Sequence, residues 1–188
     1  PLVRADNKIW LGSNYDYNDP QGGSYWFNND QQYEATYGRL YTYESALRNI
    51  PQGWRLPVNA DWTSLIKSVA KPDALLPGGS SGMNLQFGGI HYTPEAGGTF
   101  YNIGNIGFYL GIGRKANTVA YLQTTRSDSR VLNFDMPYPF CMFTCIDAGS
   151  LRFILGTASV AAKEHEVEEE ISPAELEQYR VLFAPEEK

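Results

Sequence analysis

The chain has 188 residues, of which 43% are hydrophobic, 14% aromatic and 19% charged. That much apolar material supplies the core of one domain, with or without an appendage, and excludes a disordered chain. No run of the ~20 apolar residues that would cross a bilayer occurs, so no membrane span is expected. The net charge of −6 has a narrow address. Residues 1–162 hold twelve basic and twelve acidic side chains, whereas residues 163–188 set Lys163, Arg180 and Lys188 against nine glutamates. A neutral body without a basic stripe can release few counterions from phosphates, so nucleic acid is not an expected partner. The chain opens on Pro1 rather than Met, with no charged-then-apolar leader, as a processed or trimmed product would.

Residues 13–37 are dense in Asn, Tyr, Gly, Asp and Gln and keep no period of 3.6 or 2, which predicts loops and short strands. Thr42 can cap a short helix running to Asn49, ended by Pro51-Gln52-Gly53. A second helix is predicted with Asn59 as its cap and Trp62, Leu65, Ile66 and Val69 on one face, stopping at Pro72. From Leu75 the pattern changes to short apolar runs between glycines. Strands are predicted at 87–92, 99–103, 106–112, 119–124, 130–134 and 151–155. Two helices ahead of such strands give an α+β class: two helices and a mostly antiparallel sheet with long loops. The division expected is a domain over residues 1–155 and an acidic tail over 156–188. In that tail Ser172-Pro173-Ala174-Glu175 is a capping box, and Leu176, Tyr179, Leu182 and Phe183 share one face of a short helix. A helix of about eleven residues is marginal alone in water, so it is expected to dock on its own domain or on a neighbour. The acidic run reads either as solvation or as a meeting surface for a basic partner.

Signals of catalysis are missing. His91 and His165 stand in unrelated contexts, and neither joins a zinc-ligand spacing; His91 reads as a strand-edge or surface residue. Cys141 and Cys145 have three residues between them, and an extended strand would hold their Cα atoms ~13 Å apart. Two buried thiols are expected there, a disulfide needing a tight turn and an oxidising compartment. Asp16, Asn18 and Asp19, or Asn28, Asp30 and Glu34, lack the glycine and terminal glutamate of a calcium loop. Gly111-Ile112-Gly113-Arg114 lacks the third glycine and helix of a dinucleotide site. The expectation is no enzyme, no cofactor and no metal.

The aromatics remain. Trp54 and Trp62 are predicted for the core, while Tyr set among Asn, Ser and Gly is a recipe for recognition loops. Tyr121, Arg126, Asp128, Arg130, Asn133, Asp135, Tyr138 and Phe140 mix those chemistries within one stretch. It reads as a binding surface or as ordinary strand-and-loop exposure.

Three runs in order are distinctive: Tyr37-Gly38-Arg39-Leu40-Tyr41-Thr42, then Pro51-Gln52-Gly53-Trp54-Arg55-Leu56-Pro57, then Asp61-Trp62. Leu76-Pro77-Gly78-Gly79, Phe100-Tyr101-Asn102-Ile103-Gly104 and Gly149-Ser150-Leu151-Arg152 follow. Over roughly residues 7–155 the chain resembles the Fibrobacter succinogenes major paralogous domain family. The resemblance implies a C-type lectin-like fold and a module of extracellular or lipid-anchored proteins in Bacteroidetes and relatives. Related scaffolds serve as variable receptor-binding proteins of diversity-generating retroelements, including those of phages. Against the family pattern, Ile50 and Phe153 stand at positions usually Cys, and Val58 stands at the usual capping Ser, leaving Asn59 as the substitute. None of the EPN, QPD or WND triplets of calcium-dependent sugar binding is present. Arg152 reads as a structural hydrogen-bond fork rather than a ligand contact.

The expectation is therefore a non-enzymatic adhesin or receptor-binding domain at an extracellular, cell or virion surface. Its ligand would be a glycan or protein met by the 114–147 region. The alternative is a structural subunit whose acidic tail docks on a neighbouring chain or a second copy.

Overall fold

The computed structural model describes residues 1–92, 99–115, 118–137 and 148–156. In chain order its strands are β1 (Leu2–Ala5), β2 (Lys8–Leu11), β3 (Ser24–Tyr25), β4 (Leu40–Thr42), β5 (Trp54–Arg55), β6 (Ile90–Tyr92), β7 (Thr99–Tyr101), β8 (Gly107–Ile112), β9 (Thr118–Thr124), β10 (Ser129–Pro137), β11 (Ala148–Ser150) and β12 (Ile154–Leu155). Its α-helices are α1 (Glu34–Tyr37), α2 (Tyr43–Arg48) and α3 (Asn59–Lys67). The strands make two sheets. One has the order β1-β2-β12-β5, and the other runs β10-β9-β8-β11-β4-β3 with β6 and β7 added on β11. The pairing is antiparallel except for β8 with β11, among the described residues. The fold is α+β.

The helices form where local chemistry closes their ends. Thr42 accepts the Ser45 N–H at 3.2 Å and starts α2, as its position predicts. For α3 the cap is Val58 and not the expected Asn59, which is already helical. Val58 has no side-chain acceptor, so the end is closed from inside, with the Asp61 carboxylate accepting the Val58 N–H at 2.8 Å. The same carboxylate takes both arms of Arg55, at 2.6 and 3.0 Å. Arg55 and Asp61 thereby tie β5 to the first turn of α3. The helix also ends earlier than Pro72. Ser68 donates its hydroxyl back to the Leu65 carbonyl, and Pro72–Leu75 is a separate 3-10 turn.

The strands predicted between 87 and 134 are found, with shifted ends, whereas β1, β2, β4, β5 and β11 are additions to the expectation. Asp6 and Asn7, with φ of 51° and 57°, make the tight turn that folds β1 onto β2. The predicted 151–155 strand is only Ile154–Leu155, because Leu151 and Arg152 bridge from β11 on one sheet to β12 on the other.

Alternation along β8 and β9 sends consecutive side chains to opposite faces, and both faces are covered. Phe108, Leu110, Val119 and Tyr121 pack with Tyr41, Leu151, Phe153 and the α2 residues Tyr43 and Ala46. Tyr109 and Leu122 face the other way, against Trp10, Ile154 and the α3 residues Trp62 and Leu65. Trp62 is fully buried and lies 5.0 Å from the Trp10 ring, while Trp54 is only half-buried beside the first cluster. Gly111 makes the close approach possible: a Cβ there would stand 2.7 Å from Trp62 Nε1 and 2.9 Å from the Pro57 carbonyl. Among the described residues no helix is long and apolar enough to cross a membrane.

Candidate functional site

The predicted contact stretch begins on β9 and continues through its hairpin with β10. Six successive pairs hold these strands together, from Thr124 with Ser129 to Val119 with Phe134. The hairpin end is locked from within. Thr125 N–H donates to the Asp128 carbonyl at 2.8 Å, the Asp128 N–H donates to Thr125 Oγ1 at 3.1 Å, and the Thr124 and Ser129 hydroxyls meet at 2.8 Å beneath them. A backbone so tied presents its side chains at fixed places.

Three of the predicted residues stand out from that end. Arg126 is exposed, with its guanidinium 5.5 Å from the centre of the Phe87 ring. Asp128 and Arg130 have side chains 57% and 59% exposed and approach only to 3.9 Å, a loose pair in water. Tyr121 is a correction. It is 2% exposed and belongs to the core, because β9 is covered on both faces and residue 121 points at Tyr41 and Phe153's cluster. Asn133 and Asp135 lie on β10, with Asn133 opposite Ala120. Tyr138 and Phe140, like Cys141, Cys145 and the tail, lie outside the described residues.

Other polar groups are committed to the fold. Arg152 is fully buried and donates to Asn14 Oδ1 at 2.9 Å and to the carbonyls of Leu11, Met83 and Asn84 at 2.8–2.9 Å. These are neutral oxygens, and burial pulls the guanidinium below its ordinary pKa while Tyr109 opposes the shift. Asn14 is the hub. Its Oδ1 also accepts from the Tyr109 hydroxyl at 3.1 Å, and its amide donates to the Tyr37 carbonyl at 2.8 Å. The fork expected of Arg152 is thus present, joining the start of the domain to its last strands.

Asp19, weighed in the sequence as a calcium oxygen, has its carboxylate occupied by protein donors. Ser45 Oγ lies at 2.7 Å, an Arg48 nitrogen at 2.6 Å and the Gln21 N–H at 2.9 Å. Burial pushes its pKa up, but these donors together with Asn49 outweigh it and hold the carboxyl at about 2. His91 is 4% exposed, stacks on Tyr25 at 4.4 Å and is paired on both sides, with Ala148 and with Phe100, so it is an interior residue and not the strand-edge or surface one expected. Among the described residues no group of three or more His, Cys, Asp or Glu could hold a metal ion.

An open cleft of ≈ 500 Å³ lies between β1 and the end of α3, lined by Arg4, Asp6, Lys71, Asp73, Ser80 and Ser81 among others. The sequence reading did not single it out, since its parts are far apart in the chain. The available signal was Leu2–Ala5 and Lys8–Leu11 on either side of Asp6-Asn7, two short apolar runs around a turn dipeptide.

No curated protein and no solved structure matches the chain. The family model for the Fibrobacter succinogenes major domain matches residues 3–116, from β1 to just past β8. The segment contains the Arg55–Asp61 tie and both long helices, and the β9–β10 hairpin follows it. Covering more than half of the sequence, this match makes the chain a member of the Fibrobacter succinogenes major domain family.

Proposed function

We propose that this chain is a non-enzymatic binding module with a C-type lectin-like fold, acting at an extracellular, cell or virion surface on a glycan or protein ligand. The observation that carries the reading is the β9–β10 hairpin end, where Arg126, Asp128 and Arg130 stand exposed on a backbone fixed by internal hydrogen bonds. Exposed guanidinium groups offer forked donors to sugar hydroxyls, carboxylates or a protein surface, and Asp128 offers the acceptor beside them. Rigid placement reduces the entropy lost on binding. The lectin-like reading draws support from the α+β class and from the pairing of β2 with β12, which joins the beginning and end of the domain in one sheet.

The test is capture of the purified full chain on a broad glycan array and on bacterial cells, with and without chelator. Saturable binding that weakens about tenfold in Arg130→Ala, and more in Arg126→Ala/Arg130→Ala, is expected, with chelator having no effect. A folded protein that binds neither surface would sink this reading in favour of an assembly subunit.

A further inference from the structure

The cleft between β1 and the end of α3 has an apolar floor, fixed walls and an unbalanced charge on its rim. Ala5 and Val69, which pack on the second core cluster, line it together with Ala70 and Ala74. These are small side chains, and they leave a volume of ≈ 500 Å³, inside the ~300–1,000 Å³ of small-molecule sites. Both walls are held from behind. On one side the Ala5 carbonyl accepts the Trp10 indole N–H at 3.1 Å, and Ala5 pairs with Lys8 in the β1–β2 hairpin. On the other, Ser81 donates to the Ala74 carbonyl through its N–H at 3.1 Å and its hydroxyl at 2.6 Å. Gly79 lies too close to the Asp73 and Ala74 carbonyls to admit a Cβ. A ligand therefore meets a cleft whose shape is set by the fold, and little ordering is needed on binding.

The rim chemistry is specific. Asp6 is neutralised by Lys8, 2.6 Å from its carboxylate. Arg4, Lys71 and Asp73 are exposed, and among the described residues none of the three makes an ion pair. Two free cations thus stand against one free carboxylate, which selects an anion. Ser68 and Ser81 spend their hydroxyl protons on the Leu65 and Ala74 carbonyls, so each oxygen keeps a lone pair for a donor. The C-terminal end of α3 also brings partial negative charge to the cleft, which favours hydroxyl donors and opposes a doubly charged phosphate. We propose that the cleft is a second binding site, for one unit of an acidic polysaccharide of the uronic-acid class. The sugar's carboxylate meets Arg4 and Lys71, its hydroxyls meet Asp73, Ser68 and Ser81, and its C–H face covers Ala5 and Val69. The site shares no lining residue with the β9–β10 hairpin, so it stands or falls apart from the role given to Arg126 and Arg130.

Nuclear magnetic resonance titration of the full chain with galacturonate, against galactose and inorganic phosphate, tests the site. Saturating shifts are expected in segments 4–6, 68–74 and 80–81, with galacturonate at least about tenfold tighter than either comparison compound. Trigalacturonate is expected to bind at least as tightly, because the cleft is open at the surface. Arg4→Gln and Lys71→Gln, both at exposed positions, are each expected to weaken binding about fivefold with the urea midpoint unchanged. Ala70→Trp fills the cleft from an exposed position and is expected to abolish binding, whereas Arg130→Ala is expected to leave it intact. Absence of saturating shifts would overturn the proposal, as would binding that survives Ala70→Trp. Equal affinity for phosphate would reduce the site to a pair of cations, and equal affinity for galactose would remove the carboxylate from recognition. Binding of the monomer alone would exclude a polysaccharide, and shifts confined to residues 126–130 would assign the sugar to the hairpin; each of these results overturns the assignment.

Discussion

Arg152 and Arg130 are the same side chain in two opposite settings. Arg152 is fully buried, and four neutral oxygens from two distant parts of the chain accept from it. Arg130 is mostly exposed and meets one carboxylate at 3.9 Å. A guanidinium taken out of water must have its donors filled, and here the acceptors come from the end of β2, from Asn14 and from the Met83–Asn84 segment. A guanidinium left in water is bound to nothing that stability requires. The contrast separates arginine used as mortar from arginine available for recognition.

The largest expected effect attacks the buried member. Arg152→Met removes four hydrogen bonds and leaves Asn14 Oδ1 and the carbonyls of Leu11, Met83 and Asn84 short of a donor. The loss should be ~3–5 kcal/mol, read as a fall in the urea midpoint. A loss under ~1 kcal/mol would mean that water replaces the guanidinium and that the fork is dispensable.

Asp61→Asn tests a half-way case, a charge buried beside an arginine that is itself mostly covered. Asparagine keeps one oxygen for the Val58 N–H and loses the paired acceptance of Arg55. Destabilisation of ~2–3 kcal/mol is expected by the same measurement. Restoration by the double change Arg55→Gln/Asp61→Asn would show that the uncompensated guanidinium, rather than the cap, carries the cost.

Asp19 moves the comparison to carboxylates and to pH. Its folded pKa of about 2 lies below the unfolded value of ~3.9, so it contributes stability in full above that value and loses it as pH falls through about 2. The difference in urea midpoint between the unaltered chain and Asp19→Asn should be constant near neutrality and shrink below about pH 4. An unchanged difference at the acid end would show that Ser45, Arg48 and the Gln21 N–H do not favour the ionised form.

These contrasts also show what a sequence can disclose. The cap at Thr42 and the stripe through Trp62 and Leu65 were legible because their physics is local. The stop of α3 was misread because Pro72 is a strong signal, and the weaker one, Ser68 turning its hydroxyl onto Leu65, ends the helix first. The strand β11 is Ala148-Gly149-Ser150, small residues without strand preference, and it exists because β4, β6 and β8 all pair with it. Tyr121 looked like a recognition residue by its type. Only the register of β9 between β8 and β10, with packing on both faces, makes it core. Arg152 was readable as a fork, but its partners lie 68 to 141 positions away, and no local pattern names them. Residue type was informative where neighbours in sequence decide the role, and silent where neighbours in space do.

Arg130→Ala gives the smallest effect on stability and the sharpest use of the comparison. The side chain contributes one loose, solvent-screened ion pair, so the urea midpoint should shift by no more than ~0.5 kcal/mol equivalent. Its exposed guanidinium and Asp128 should nonetheless matter to a ligand, because both are presented by a hairpin that does not need them. Arg130→Lys then discriminates between charge and shape. Lysine keeps the charge but not the planar fork, so a ligand recognised by forked hydrogen bonds should be lost and one attracted by charge alone should be kept. A stability loss approaching that of Arg152→Met would place Arg130 with the structural arginines and remove the hairpin as a recognition surface. Unchanged stability with lost capture would leave recognition as the role of this side chain.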